Sequence, residues 1–434
     1  MTAPMSRRTA LLLGAGTLTA AAGCNRFGGG SATADGSTVN MVWWGDAQRA
    51  EVTEAALELY RKANPGLKIT TEFQSGSAYD DKLAVRFGGG NPPDLLAVRR
   101  ESLRDFADRG SLLDLATQQD LIKTADIPSG VLNAGKVGEA LYGVPGGVTS
   151  MGWALNKAVF DQYGIDLPDG KSWSWNDFAA LSAEFAKASN KEAYGADYPL
   201  DDLLTFGIFV RQHGEDLWTA DSKLAVSADV VTAWFQQAVD LRTSGAMPPP
   251  GWAESLGPSA DQSPIARGLV ATQAIPSNSF ATFNRAAKQT LDMVWFPGES
   301  QATRRGMAII PGLFWSVTAQ SKAPDQAVAL LDFLINDVEA NKTMGVTRGN
   351  PASTVVADAV SGVLEPDDQF ANDYVVELSQ EELVDPVPDP LGTTELRDLL
   401  STLADEVSFG KTTPRDAGAE FTTKGAEILD SRPR

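Results

Sequence analysis

The chain is poor in the residues that most chemistry is built from. Among its 434 residues there is one cysteine, Cys24, and one histidine, His213. A single cysteine cannot close an internal disulfide. One histidine and one cysteine leave only carboxylates for a metal, so no metal site is expected. A Ser-His-Asp mechanism would rest on His213 alone. The stretch His213-Gly214-Glu215 reads as a helix end, and no Gly-x-Ser-x-Gly elbow is present. Basic charge is also scarce. Lys and Arg total 36 against 56 Asp and Glu, a net charge of −20. That excludes nucleic acid as a partner, because binding phosphates needs a basic face. Three glycines at Gly88-Gly89-Gly90 are not followed by Lys-Ser/Thr, so the mechanics of a phosphate loop are missing. No internal repeat is visible. Nothing points to a cofactor.

The N-terminus reads as address rather than fold. Ser6-Arg7-Arg8-Thr9 opens a charged region, and Ala10 to Ala22 is a small-residue and leucine run. The run is shorter than the roughly 20 residues a spanning helix needs. It fits a secretory signal over residues 1–23, with the arginine pair pointing to the twin-arginine route. Cys24 follows at once. It is either a stray thiol or, because Ala21-Ala22-Gly23-Cys24 resembles a bacterial lipobox, a lipidated residue that anchors the chain to the outer face of the membrane. Residues 24–37, rich in Gly, Ser, Ala and Thr, read as a flexible leash.

The fold begins at Val39. Val39–Trp44 is β-prone, Gly45-Asp46 breaks it, and a helix follows with Val52, Ala55, Ala56, Leu59 and Ala63 on one face. Asp46 serves as N-cap and Asn64-Pro65-Gly66 as stop. Leu67–Gln74 alternates as a strand, Tyr79–Phe87 is helical, and Leu95–Val98 is a short buried strand. These are βα units, and ligands in open α/β sheets sit at strand carboxyl ends beside helix N-termini. At 434 residues two domains are expected. Further helices are predicted from Ser174, over about Asp229–Thr243 and over Thr394–Val407, with a swing between domains at Tyr142–Gly147.

Several ordered pieces carry a more specific resemblance. They are Trp43-Trp44-Gly45, Ala63-Asn64-Pro65-Gly66-Leu67-Lys68-Ile69, Tyr79-Asp80-Asp81-Lys82-Leu83, Gly90-Asn91-Pro92-Pro93-Asp94-Leu95 and Leu141-Tyr142-Gly143-Val144-Pro145. Leu155–Phe160, Ser174-Trp175-Asn176-Asp177-Phe178 and Ser321-Lys322-Ala323-Pro324 continue the series. In this order the chain resembles an extracellular solute-binding protein of a bacterial ABC importer, of the maltose-binding-like group. The resemblance implies an α/β fold of two lobes, periplasmic-binding-protein-like (type II), with the ligand cleft between them. It implies one lobe over 38–147 plus 311–346 and another over 148–310 plus 347–434. It also implies a monomer without catalytic activity that delivers a carbohydrate to the transmembrane subunits of an ABC permease.

Sugars offer hydroxyls to carboxylates, amides and arginines, and C–H faces to aromatic rings. The first-lobe candidates implied are Trp44, Asp46, Arg99 and Glu101. Asp46 is either ligand contact or helix cap, and Arg99 with Glu101 either ligand contacts or a surface ion pair. Thr149 lies where the chain reaches the cleft. The second-lobe candidates are Tyr198, Asp201, Trp252, Asn278 and Phe280. Trp315 is a cleft platform or a wedge at the hinge, and Arg348 reaches a ligand or only the hinge backbone. An anchored enzyme acting on glycans, which would need a carboxylate pair, is the rival class. Glycerol phosphates and polyamines are the rival ligands.

Overall fold

The computed structural model describes residues 38–45, 47–74, 76–252, 256, 259–383 and 387–432. The signal, Cys24, the leash and Asp46 lie outside them. In chain order the first part contains β1 (Thr38–Trp44), α1 (Ala47–Ala63), β2 (Lys68–Gln74), α2 (Gly76–Gly88), β3 (Leu95–Val98), α3 (Arg100–Asp108), α4 (Ser129–Asn133), β4 (Lys136–Val137), β5 (Ala140–Leu141) and β6 (Val144–Thr149). The middle contains β7 (Met151–Asn156), α5 (Lys157–Tyr163), α6 (Trp175–Ala188), β8 (Tyr194–Asp197), α7 (Leu203–Gln212), α8 (Ala228–Thr243), β9 (Val270–Pro276), α9 (Phe280–Ala286) and β10 (Leu291–Val294). Then come β11 (Ile310–Val317), α10 (Pro324–Asn336), α11 (Val338–Met344), α12 (Thr354–Val360), α13 (Pro366–Ser379), α14 (Thr393–Ser408) and α15 (Pro414–Asp430).

Two sheets organise this α/β chain. The first has the order β2-β1-β3-β11-β6, and the second β10-β7-β9-β8. In the first, β1 pairs in parallel with β2 and β3, while β11 runs antiparallel to β3 and β6. Parallel strands need both faces covered, and β3 is accordingly buried along all four residues. The chain leaves the first sheet at Thr149, enters the second at Met151, and returns at Ile310. A third crossing is pinned where Val148 and Asn350 exchange two backbone hydrogen bonds of 2.7 Å.

The expected swing at Tyr142–Gly147 falls later, at Ser150. Its glycines serve close packing instead. A Cβ on Gly146 would sit 2.7 Å from the Trp315 ring, and one on Gly147 2.5 Å from the Arg348 carbonyl oxygen. The expected helices from Ser174, near Asp229 and near Thr394 are α6, α8 and α14. Ser174 caps α6 in a reciprocal box with Asp177. On α8, Val230, Val231, Trp234, Ala238 and Leu241 are buried, as the spacing predicts.

The buried face of α1 differs from expectation. It is Ala50, Thr53, Ala56, Leu57 and Tyr60, rotated from the Val52–Leu59 stripe. Thr53 satisfies its hydroxyl on the Arg49 carbonyl at 2.7 Å, and Tyr60 packs on Phe333 with ring centroids 4.8 Å apart. Two residues with polar atoms therefore occupy the inner stripe. No helix among the described residues is long and apolar enough to cross a membrane.

Candidate functional site

The carboxyl ends of β1 and β3 deliver the first wall of a cavity of about 400 Å³ between the two sheets. Trp44 ends β1 and lies half-buried on that wall. Its ring packs against Tyr79, centroids 5.6 Å apart, and the Tyr79 hydroxyl donates to the Ala97 carbonyl at 2.6 Å. The Arg99 guanidinium lies over the Trp44 ring, 4.5 Å from the centroid, and pairs with Asp80 at 3.1 Å. Arg49, from the first turn of α1, donates to the Thr347 carbonyl at 2.6 Å. Arg100 and Glu101 open α3 beside them.

The crossing forms the floor. Thr149 shares a hydrogen bond of 2.9 Å with the Ser277 hydroxyl and donates to Asn278 Oδ1 at 3.2 Å. These contacts orient Asn278, which follows β9, toward the cavity.

The opposite wall comes from helix starts. Asp202 caps α7 by accepting from the Thr205 amide at 2.6 Å, and Leu203 and Leu204 follow it into the wall. Thr393, Thr394 and Arg397 come from the start of α14. Two ion pairs reach across. Arg100 Nη2 meets Asp389 Oδ2 at 2.9 Å, and Arg397 meets Glu101 at 3.7 Å. Burial pushes the Asp389 carboxyl up, and Arg100 opposes that shift.

The expected residues divide into three groups. Trp44, Arg99, Glu101, Thr149 and Asn278 are brought together around this cavity. Asp46 lies outside the described residues. The remaining six do not line this cavity, and five of them are core, hinge or packed positions. Tyr198 is buried among Trp175, Phe178 and Trp234, and burial pushes its phenol well up. Phe280 stacks on Phe370 with centroids 4.3 Å apart. Trp315 is 1% exposed in β11. Arg348 is 4% exposed, between Trp43 and Trp315, and donates to Thr53 Oγ1 at 2.8 Å. Burial, then the nearby Arg49, holds its guanidinium well below the ordinary value. Trp252 packs edge-on against Tyr194. Asp201 is exposed, and its neighbour Asp202 takes the wall position.

Arg49, Arg100, Asp202, Asp389 and Arg397 escaped the sequence reading. Arg100 and Asp202 were one residue from chosen positions. Asp389 and Arg397 sit almost 300 residues from Arg100, and no local pattern marks them.

Among proteins of known family, the profile for bacterial extracellular solute-binding proteins matches residues 45–341. The chain belongs to that family. A solved family 1 solute-binding protein from Alicyclobacillus acidocaldarius is 28% identical, with a TM-score of 0.68 over 90% of this chain and 98% of its own. A periplasmic oligogalacturonide-binding protein from Yersinia enterocolitica, solved with digalacturonic acid, shares the fold at 21% identity. Its TM-score is 0.78 over 91% of this chain and 99% of its own. An uncharacterized lipoprotein encoded in the oleD 5′ region of Streptomyces antibioticus is 27% identical over 186 residues. That match spans 42% of this chain and only 39% of the relative's length. The solute-binding chain is thus an α/β protein of two lobes with its ligand cleft between them.

Proposed function

We propose that this solute-binding protein captures a carbohydrate outside the cell and presents it, unaltered, to the transmembrane subunits of an ABC permease. The observation that carries the reading is the half-buried Trp44 on an inter-lobe cavity whose wall mixes hydroxyl, amide, carboxylate and guanidinium groups with apolar side chains such as Leu203, Leu204 and Ile310. A sugar matches that mixture, with its C–H face on the ring and its hydroxyls on the polar groups. The Yersinia structural relative, which binds an oligogalacturonide, supports the carbohydrate class. Trp44, Arg99, Glu101, Thr149 and Asn278 are the ligand contacts in this reading, joined by Arg49, Arg100, Asp202, Asp389 and Arg397. The lobes divide as 38–149 with 310–346, and 151–309 with 347–432. Lipidation of Cys24 would tether the protein to the outer face of the membrane, as the Streptomyces lipoprotein relative supports.

A thermal-shift screen against mono- and oligosaccharides, glycerol phosphates and polyamines tests this. A ligand at 100 times its dissociation constant stabilises the native state by about 2.7 kcal/mol. The expected result is a saturable shift with one sugar class and recovery of that sugar intact. Conversion of the sugar by the purified protein would replace the receptor with an enzyme. A shift with polyamines alone would replace the ligand.

A further inference from the structure

The cavity inverts the charge balance of the chain. Acids outnumber bases 56 to 36 overall. On the cavity wall stand four arginines, Arg49, Arg99, Arg100 and Arg397, against three acids. Each of those acids is already engaged within the protein, and Arg99 and Arg49 are held too, by Asp80 and by the Thr347 carbonyl. Asp389 meets Arg100, Glu101 meets Arg397, and Asp202 caps α7.

Backbone dipoles add to the same sign. Arg49 lies in the first turn of α1, and the first residues of α3, α7 and α14 also form the wall. Three helices of nine to sixteen residues, α3, α7 and α14, therefore begin at one cavity. A helix start carries about half a positive charge and attracts anions. Among the described residues no side chain caps the start of α3 or α14.

Arg100 is the centre of this arrangement. It lines the inter-lobe cavity and the two cavities that adjoin it, one toward Trp218 and one toward Lys136. Its contact with Asp389 is a single Nη2–Oδ2 pair. A guanidinium is a planar fork best satisfied by two parallel bonds to a carboxylate, sulfate or phosphate. An anionic group in the cavity would supply both, while ligand hydroxyls donate to the vacated Asp389 oxygen.

We propose, resting on the receptor reading above, that the cavity selects an acidic carbohydrate, a polyhydroxylated ligand bearing a carboxylate, sulfate or phosphate, with Arg100 exchanging Asp389 for the ligand's anion. The test is native mass spectrometry of the full chain after equilibration with an equimolar pool. The pool holds oligogalacturonates, a sulfated disaccharide, glucose 6-phosphate, malto-oligosaccharides and cello-oligosaccharides. The retained species is expected to be anionic, and its identity names the source of the anion. Arg100→Gln should weaken the retained acidic ligand at least tenfold, because a neutral amide still bonds Asp389 but cannot pair an anion. Asp389→Asn should strengthen acidic binding, because it removes the carboxylate that competes with the ligand's anion for Arg100. Arg397→Gln, on the exposed side of the wall, should act in the direction of Arg100→Gln with smaller size. Preferential retention of a neutral oligosaccharide overturns the acidic class and leaves the receptor reading standing. An Arg100→Gln variant that loses acidic and neutral ligands equally also overturns it. Retention of nothing from the pool by a folded protein counts against both.

Discussion

The two walls of the cavity are built by different means. The first-lobe wall is made where two parallel strands end. Trp44 ends β1, Arg99 follows β3, and Tyr79 packs against the indole. In the second-lobe wall the end of β9 delivers Asn278 and the start of β7 delivers Met151. The rest is helix starts and a turn at Asp389, gathered from segments nearly 200 residues apart. A strand-end wall is rigid because its backbone is bonded on both sides. A wall of helix starts depends on what holds those helices from behind.

The sharpest way to break that comparison is to remove a support behind the second wall. Glu299 is 2% exposed and accepts from the Gln212 amide at 2.7 Å and the Met307 amide at 3.0 Å, with Gly306 beside it. It ties the return crossing to the end of α7, whose start forms the wall. Glu299→Ala leaves several buried donors unmatched and should lower stability by about 3 kcal/mol in urea unfolding. Glu299→Gln, which retains an acceptor, should lose less. Equal losses would mean that packing volume rather than hydrogen bonding sets the effect.

Direct truncation of each wall should then rank them. Trp44→Ala removes the ring face and should weaken carbohydrate binding by about 2 kcal/mol, roughly thirtyfold. Asn278→Ala removes one oriented amide and should cost about 1 kcal/mol. Calorimetry with the sugar found in the thermal-shift screen measures both. A larger loss at Asn278 would make the second wall the anchor and reverse the comparison.

The same contrast explains what could be read in advance. Strands announce themselves by local pattern, so β1, β3 and the residues just after them were legible, as were the helices α6 and α8. Two features hid the rest. A buried aromatic and a ligand-facing aromatic look alike in sequence, and Tyr198, Phe280 and Trp315 proved to be core. Their neighbours in space, Trp234, Phe370 and Arg348, come from segments the chain reaches only later. The inner stripe of α1 was misjudged because Thr53 and Tyr60 carry polar atoms that only tertiary partners satisfy. Asp389 and Arg397 become wall residues solely through the packing of the C-terminal helices.

Arg348 and Arg100 extend the comparison to two cations of opposite standing. Arg348 Nε and Nη1 make no hydrogen bond among the described residues, and no carboxylate pairs with it there. Replacing a buried cation by an apolar side chain of similar length relieves its desolvation. Arg348→Met should therefore change stability by no more than about 1 kcal/mol, in the stabilising direction, and leave ligand affinity unaltered. A loss of affinity would return Arg348 to the cleft.

The smallest expected effect is a change in slope with pH. Burial raises the Asp389 carboxyl in the folded chain, with Glu101 adding to the shift and Arg100 opposing it. A carboxyl whose pKa is higher folded than unfolded holds more protons in the native state between those two values. Stability then falls as pH rises through that window and is flat above it. Asp389 therefore opposes, over a span starting near the ordinary carboxyl value, the acid destabilisation produced by depressed carboxylates elsewhere. Asp389→Asn should remove this contribution. Its urea midpoint, measured from pH 3.5 to 7, should gain on the parent chain as pH rises through that window. A parent-minus-variant difference that grows in the other direction would show that Arg100, rather than burial, sets the state of Asp389, and that the two walls are held together by a charge pair at every pH in the range.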